Sequence, residues 1–559
     1  MQVTFWQHFF RVLPRKPLPA LAALYWHLTR RKVRARNRLR VESADLPFAY
    51  REWIKANERS DELAASCASV LENPRWRPQF CVLLHSRGHY SAEQLDRSRS
   101  SVERQVYPHW ALQGPVDDDF NAVLSDNAAD FVVPLQIGDE LSSTALLRYA
   151  EAALAHRDAC ILFGDEDEID EKGRRRRPWF KPKWNEELFF AVDYLSRCAA
   201  IDLALAKKAC AGKQPNDVSA FMLAATAAAN GAIVHVPHVL CHVHGRETLR
   251  DDRVDLVAVH LEAQGAKCAP GPFDTVKVQW PLPEELPLVS VMIPTRDKLH
   301  LLQPCIEGVL NRTDYPNVEI LVVDNGSLEQ STSTYLADLG RDLRVRVLDF
   351  PHAFNFSAIN NFAARQARGS FLCLLNNDTE VLEVGWLTEL IRYAVRPQVG
   401  AVGAKLLYED GTIQHAGIVI GIGEAAGHAH RFLPAGEPGY FRMAHAAQFV
   451  SAVTAACLVI DKSKFEAVGG FDEELAVAFN DVDFCLRVEA AGWRNVYVPH
   501  ATLIHHESKS RGKDLSPEKV ARFRGELETL QRRWGTRTYV DPVQNPNLDR
   551  RSETFVVRQ

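Results

Sequence analysis

The most constraining feature of this 559-residue chain is that one pattern occurs in it twice. LVSVMIPTRDKLHLLQPCIEGVLNRTDYPNVEILVVDNGS (288–327) and QFCVLLHSRGHYSAEQLDRSRSSVERQVYPHWALQG (79–114) share one layout. Each gives a short apolar strand, a polar break, an amphipathic helix, a Tyr-Pro pair and the start of a second strand. FVVPLQIGDE (131–140) then falls where FLCLLNNDTE (371–380) does, and VHVPHVL (234–240) where VYVPHATL (496–503) does. Strands alternating with helices in this way predict mainly parallel sheets covered by helices. Two α/β units in tandem are therefore expected, and the length exceeds that of one ordinary domain.

The copies diverge at the ends of their strands. The second half has PTRD (294–297), VVDNGS (322–327) and LLNND (374–378); the first has HSRG (85–88) and has lost most of the middle segment. Where the second half has Asn376 and Asp378, a direct alignment gives Gln136 and Gly138, with Asp139 and Glu140 nearby. In open α/β sheets ligands bind beyond the carboxyl ends of the strands, so the second half is the candidate for chemistry and the first a copy without its acids. A turn would also explain DNGS or NND singly. Three successive strand ends carrying Asp are better explained by a site, so FLCLLNND reads as a buried strand delivering its last residues to a ligand site and not to a turn.

The composition, 46% hydrophobic and 25% charged, is that of an ordinary soluble globular protein. Eleven cysteines are scattered singly, as expected of free thiols in a reducing compartment. The net charge of −5 is unevenly placed: residues 1–40 carry ten Lys and Arg and no acid. No stretch reaches the roughly 18–20 apolar residues of a membrane-spanning helix, and no secretory signal is evident. FWQHFFRVL (5–13) sets Phe5, Trp6, Phe9, Phe10 and Leu13 at helical spacing ahead of RRKVRARNRLR (30–40). Aromatics on a helix face beside a basic cluster suit an anionic membrane surface; a helix docked on its own protein is the alternative.

In their order and approximate spacing PTRD, VVDNGS, LLNNDTE, SAVTAACLVI (451–460), GGFDEELAVAFNDVDFCLRVEAAGW (469–493) and LIHHESKSRG (503–512) resemble family 2 glycosyltransferases of the GT-A fold. The first half resembles a second, worn copy. FGDEDEIDEKGRRRRPWFKPKW (163–184) is similar to tandem glycosyltransferases of bacterial surface-polysaccharide and O-antigen synthesis. The resemblance implies two tandem GT-A domains, the first degenerate. It divides the chain into a basic amphipathic arm (1–45), a helical linker (46–75), a degenerate domain (76–280), a catalytic domain (285–515) and a C-terminal helix and tail (516–559).

The resemblance implies a nucleotide-diphosphate donor, UDP- or dTDP-sugar, and inversion at the anomeric carbon. By it, Pro294, Thr295, Asp297, Asp324, Asn325, Asn376 and Asn377 hold the donor, Asp378 binds Mn²⁺ or Mg²⁺, and Asp481 is the catalytic base. His505 is the second metal ligand by position, with His506 an open alternative; Asp483 and Arg487 support the base. The departure is Asn376 where the family's D-x-D motif has its first acid. A divalent ion offsets the charge of a leaving diphosphate, and hard cations need only one or two protein carboxylates when phosphates complete the shell. The Gly- and His-rich QHAGIVIGIGEAAGHAHRF (414–432) is expected to be a mobile lid. LQRRWG (530–535) is one residue short of the Q-x-x-R-W spacing of processive synthases, so a non-processive enzyme is expected.

The implied function is transfer to a saccharide or lipid-linked acceptor by a cytoplasmic enzyme, peripheral on the inner membrane and without nucleic-acid partners. The alternatives are a non-catalytic carbohydrate-binding scaffold and a transferase with both domains active.

Overall fold

A computed structural model describes residues 5–44, 46, 48–58, 70, 76–86, 88–116, 124, 127–211, 217–245, 252–507 and 516–558. Two large sheets carry the fold. In the second half the strands lie in the order Val345–Asp349, Val318–Asp324, Val289–Thr295, Phe371–Leu375, Cys457–Asp461, Val399–Leu407, Arg494–His505, Thr379–Val381. The first half runs Trp110–Val116, Phe80–His85, Phe131–Gln136, Ala199–Asp202, Ala159–Ile169, Ala232–His244, Glu140–Leu141, one edge strand fewer.

Directions match as well as order. In both sheets the third and fourth of these shared strands pair antiparallel. The fifth and sixth pair parallel, and the short last strand runs antiparallel. The chain is thus two tandem GT-A-type α/β units, and the repeat in the sequence is a repeat in topology. Strands covered on both faces are near-continuous apolar runs; Phe371–Leu375 is buried throughout, and so is Val289–Ile293.

The pairing supports the direct alignment. Phe131 and Phe371 pair with Asp202 and Asp461, and the short strands pair Glu140 with His242 and Glu380 with Ile504, with no residue inserted between. The turn bond from the Asp139 N–H to Gln136 O repeats that from the Thr379 N–H to Asn376 O, so Gly138 takes the place of Asp378 and Asp139 that of Thr379. The Asp139 carboxylate accepts the His244 N–H at 3.1 Å and lies 3.6 Å from the Arg197 guanidinium. The first half has a glycine where the second has Asp378, and its neighbouring acid is answered by a fixed organic cation. Asp217 in the same half accepts the Ala220 N–H at 2.9 Å and caps the helix Val218–Ala228.

One apolar core runs through both halves. At their junction Asn185 and Phe449 exchange two hydrogen bonds, of 2.8 and 3.1 Å. Trp179 stacks on Phe441 with ring centres 4.5 Å apart, and Glu187 binds both Arg396 and the Trp280 indole. The DEDE run of the first half is a buried ion network. Asp167 binds Tyr50, His242 and Arg175 at 2.6 Å each, and Glu166 pairs with Lys181 at 3.0 Å. Asp165, fully buried, accepts from His235 at 2.8 Å and from Asn545 Nδ2 at 3.0 Å to both oxygens. The C-terminal tail therefore straps across to the first sheet.

The segment read as a mobile lid is ordered and buried. It forms the short strands Ile413–His415, Ile418–Ile420 and Ala426–His428, with Gly417 and Gly421 turning the backbone at positive φ. Its His415 and His428 ring nitrogens meet at 2.9 Å, and burial holds both imidazoles well below their usual range, His428 at about 3. Glycine and histidine here serve close packing against the tail, where Asp541 accepts the Ile420 N–H at 2.6 Å. The 46–75 linker contributes the helix Ala49–Asn57; 59–69 and 71–75 lie outside the described residues.

Replacing Asn545 with Ala removes two hydrogen bonds from a buried carboxylate. Such bonds to charged groups are worth roughly 1.5–3 kcal/mol, so Asn545→Ala is expected to lower unfolding free energy by about 2–3 kcal/mol in urea titrations, against little change for an exposed tail substitution such as Val540→Ala.

Candidate active site

Strands Val289–Thr295, Val318–Asp324 and Phe371–Leu375 are adjacent and parallel, so their polar carboxyl ends open on one side. Beyond them lies a cavity of about 460 Å³ whose wall includes Pro294, Thr295, Asp297, Asn325, Asn376, Asn377 and Asp378. Asp324, His505, Asp481, Asp483 and Arg487 are not in that wall.

A hydrogen-bonded frame holds the mouth open. Asp297 sits in the left-handed region, φ 53°, followed by Lys298 at 59°. Its Oδ1 accepts the N–H groups of Leu328 and Glu329 at 2.7 and 2.8 Å, and its own N–H donates to Ser327 Oγ at 2.8 Å. Asp324 Oδ1 accepts from the Ser327 N–H and hydroxyl at 2.9 and 2.6 Å. One oxygen of each aspartate is thus committed to the loop, and the other has no partner among the described residues. Asn325 is committed further: its amide donates to the carbonyls of Phe350 and His352 at 2.9 and 2.8 Å. Asn377 donates to Thr295 Oγ1 at 3.0 Å. These two asparagines shape the pocket through its frame.

The turn Asn376–Asp378 is both a turn and a site residue set. Thr379 N–H closes back on Asn376 O at 3.3 Å, which corrects the either-or reading of FLCLLNND. Thr379 then pairs with His505 across the short antiparallel ladder. This pairing brings Asp378 Oδ1 within 3.1 Å of His505 Nε2, with Asn376 Nδ2 3.2 Å from the same nitrogen. Asp378 is 3% exposed and His505 8%. Behind the imidazole, Nδ1 meets Gln414 Oε1 at 2.8 Å, while the Gln414 amide donates to Glu507 at 3.1 Å. With a carbonyl at Nδ1, that nitrogen carries the proton and Nε2 presents a lone pair to a carboxylate. A proton or a metal ion held between Asp378 Oδ1 and Nε2 would satisfy both acceptors.

His506 is on the other face of its strand, as alternation requires. It binds Glu409 through Nδ1 and lies 3.6 Å from Glu380. Among the described residues no three or more His, Cys, Asp or Glu side chains gather into a metal cluster. The pair Asp378–His505 could supply two ligands, a number that suits a hard cation that keeps waters and substrate phosphates. Gln414, bonded to Nδ1, stands where an outer partner would orient such a ligand.

Asp481 begins the helix Asn480–Ala490, after Phe479 at φ 62°. Its oxygens accept the Ala455 N–H at 3.3 Å and the Val482 N–H at 2.9 Å. Ala456 O in turn accepts the Asn376 N–H at 3.0 Å, so one two-residue bridge joins the Asp481 carboxylate to the NND turn. Burial raises the Asp481 pKa above the usual carboxylate range, opposed by those backbone donors. Asp483, fully buried, takes Arg487 at 2.8 Å, Arg533 at 2.6 Å and the Trp534 indole at 2.9 Å. The RRW of LQRRWG thus clamps the helix that carries Asp481.

Sequence reasoning missed part of the wall. Lys519 and Arg522, from the helix Pro517–Trp534, join Arg296 and Lys298 around the cavity, with Phe354 and Phe356. Ser516-Pro517-Glu518 is a readable helix start, but nothing in the sequence says which sheet end the helix covers. Gln414, 91 residues from His505, left no signal. Of LIHHESKSRG, 508–512 lie outside the described residues.

Residues 290–445 match the family model for glycosyl transferase family 2. The second half of the chain is a family 2 glycosyltransferase domain. The match takes in Pro294 to Asp378 and stops short of Asp481 and His505. An uncharacterized protein, y4gI, of Sinorhizobium fredii is 41% identical over 466 residues, 78% of this chain and 50% of that protein. The O-antigen biosynthesis protein RfbC of Myxococcus xanthus is 37% identical over 410 residues, 70% of this chain and 32% of that protein. The chain spans half or less of the length of these curated relatives. A solved mannosyltransferase of Pyrobaculum calidifontis overlaps 47% of this chain and 68% of that one at 18% identity, with a TM-score of 0.34, too low to argue from.

If Gln414 holds the His505 tautomer, Gln414→Leu leaves the glycosyltransferase domain folded. Outer-sphere losses of this kind weaken metal binding by about 10–100-fold, and Mn²⁺ titration by calorimetry or electron paramagnetic resonance checks it.

Proposed function

We propose that the second half is an inverting, non-processive, metal-dependent glycosyltransferase. In this reading it moves a sugar from a UDP- or dTDP-sugar to a saccharide or lipid-linked acceptor in bacterial surface-polysaccharide synthesis. The observation that carries it is the buried Asp378–His505 pair, whose Asp378 lines a cavity walled also by Arg296, Lys298, Lys519 and Arg522. Carboxylate, imidazole lone pair and surrounding cations suit a nucleoside diphosphate and its Mn²⁺ or Mg²⁺. When bound, that ion offsets the charge of the departing diphosphate as a Lewis acid.

The protein's own residues do the rest. Asp378 and His505 orient the diphosphate end, and the free oxygens of Asp297 and Asp324 face the nucleoside. Asp481 takes the proton from the acceptor hydroxyl as its oxygen attacks the anomeric carbon. The bond from that carbon to the diphosphate oxygen breaks, and its electron pair leaves with the diphosphate. The raised pKa of Asp481 makes it a stronger base than an exposed aspartate. Asp483, held by Arg487, Arg533 and Trp534, fixes the helix that aims it.

The remaining parts of the chain take supporting roles in the same reading. Residues 285–515 form the catalytic domain, followed by a helix and tail (516–559), and 76–280 a retired copy whose Asp139 is answered by Arg197. The enzyme is cytoplasmic and peripheral on the inner membrane through residues 1–45, where lipid-linked acceptors sit, with 46–75 as linker.

A donor panel with Mn²⁺ tests the assignments. Asp378→Ala is expected to abolish metal-dependent donor binding. Asp481→Asn is expected to spare binding and lower kcat by about 10²–10⁴, the usual worth of a general base. If no donor binds the wild type, or both variants turn over like it, the domain is a retired fold and a carbohydrate-binding role takes its place. The base must be ionised to act, so activity is lost as pH falls through its raised pKa. The acid limb of kcat/KM should therefore lie above the ordinary aspartate value of about 3.9; a limb at or below that value removes Asp481 from the role.

A further inference from the structure

The N-terminal arm folds as three helices, Phe5–Val12, Pro17–Leu28 and Lys32–Ala44. Their inner faces make a small core of Phe9, Val12, Ala20, Ala23 and Leu39. The arm is fastened to the body: Asn37 donates to Glu553 at 2.7 Å, Arg34 pairs with Asp410 at 2.5 Å, and Arg40 binds the Arg551 carbonyl. Its orientation on the protein is therefore set, and its apolar needs are met on the inside.

A second apolar face remains on the outside. Leu18, Leu21, Tyr25 and Leu28 are 79%, 52%, 61% and 72% exposed, at spacings of three, four and three that put them on one side of the helix. Trp6 and Phe10, four residues apart on the preceding helix, are exposed as well, and the Trp6 ring lies 5.9 Å from that of His27 on the second helix. Large exposed apolar patches mark docking sites, for membrane or for protein. Exposed Arg15 lies before the stripe, and exposed Arg30, Arg31, Lys32 and Arg36 follow it, in a 40-residue stretch with no acid. At 12 residues the helix is about 18 Å long, against roughly 30 Å of hydrocarbon in a bilayer. It is suited to lie in the interface and not to cross it.

We propose that this outer face docks flat on an anionic lipid bilayer, Leu18, Leu21, Leu28, Trp6 and Phe10 entering the headgroup boundary while the flanking cations meet lipid phosphates. The charge decides for lipid: cations at both ends of an apolar stripe match a continuous anionic plane, and Tyr and Trp at its margin suit the interface. This deepens the membrane-side part of the functional reading; vesicle binding is scored apart from sugar transfer, so either can fail alone.

Flotation of the full chain with phosphatidylcholine vesicles, with and without phosphatidylglycerol, tests it. The chain is expected to float with the anionic vesicles alone and to release in high salt. Leu18→Gln, Leu21→Gln and Leu28→Gln together should abolish flotation while donor binding and elution volume stay as in the wild type. Arg30→Gln, Arg31→Gln and Lys32→Gln together should weaken partitioning by about 100-fold, from about fivefold for each surface cation. Wild-type protein left at the bottom of the gradient, or a leucine variant that floats undiminished, overturns the proposal. A wild-type dimer that the leucine changes make monomeric, with no vesicle binding, assigns the face to a second copy instead.

Discussion

The candidate site depends on one short antiparallel ladder, Thr379–Val381 against Leu503–His505. Antiparallel pairing fixes side chains in register, and a slip of one residue turns every one to the opposite face. In this register His505 faces Asp378 and His506 faces Glu380 and Glu409, so the ladder alone separates the two histidines. The same three-residue strand ends the turn that began at Asn376, whose N–H is held by Ala456 beside the contact of Ala455 with Asp481. The Asp378–His505 pair and the candidate base are thus both tied by backbone bonds to one turn, with little left to side-chain freedom.

Much of this was legible because it is local. Apolar runs ending in PTRD, VVDNGS and LLNND announce strands with polar carboxyl ends, and the order of those ends gave the sheet and the family. The first half was legible as a copy for the same reason. What escaped was non-local. The Gly- and His-rich segment reads as a loop by composition, yet its strands are buried by a tail more than a hundred residues later, as the 121-residue separation of Ile420 and Asp541 records. Gln414 and the basic wall of Pro517–Trp534 reach the site only through the fold.

The first half shows how the scaffold accommodates buried charge. Buried charges persist in the first half, but each is answered by another side chain: Asp139 by Arg197, Glu166 by Lys181, Asp167 by Arg175, His242 and Tyr50. Removing one member of such a pair is more harmful than removing both, because the survivor stays desolvated and unmatched. A network of this kind is held in place by its own interdependence.

The bond between Asp165 and Asn545 joins residues 380 positions apart in the chain. At roughly 5–20 residues per second of synthesis, a ribosome delivers the second partner about 20–80 s after the first. Throughout that interval the first sheet can form with His235 and Lys181 in hand, but its central carboxylate lacks the asparagine. The amino-terminal half, made first, is therefore the last to be finished, and its completion reports that the second half and tail have already been laid down against it.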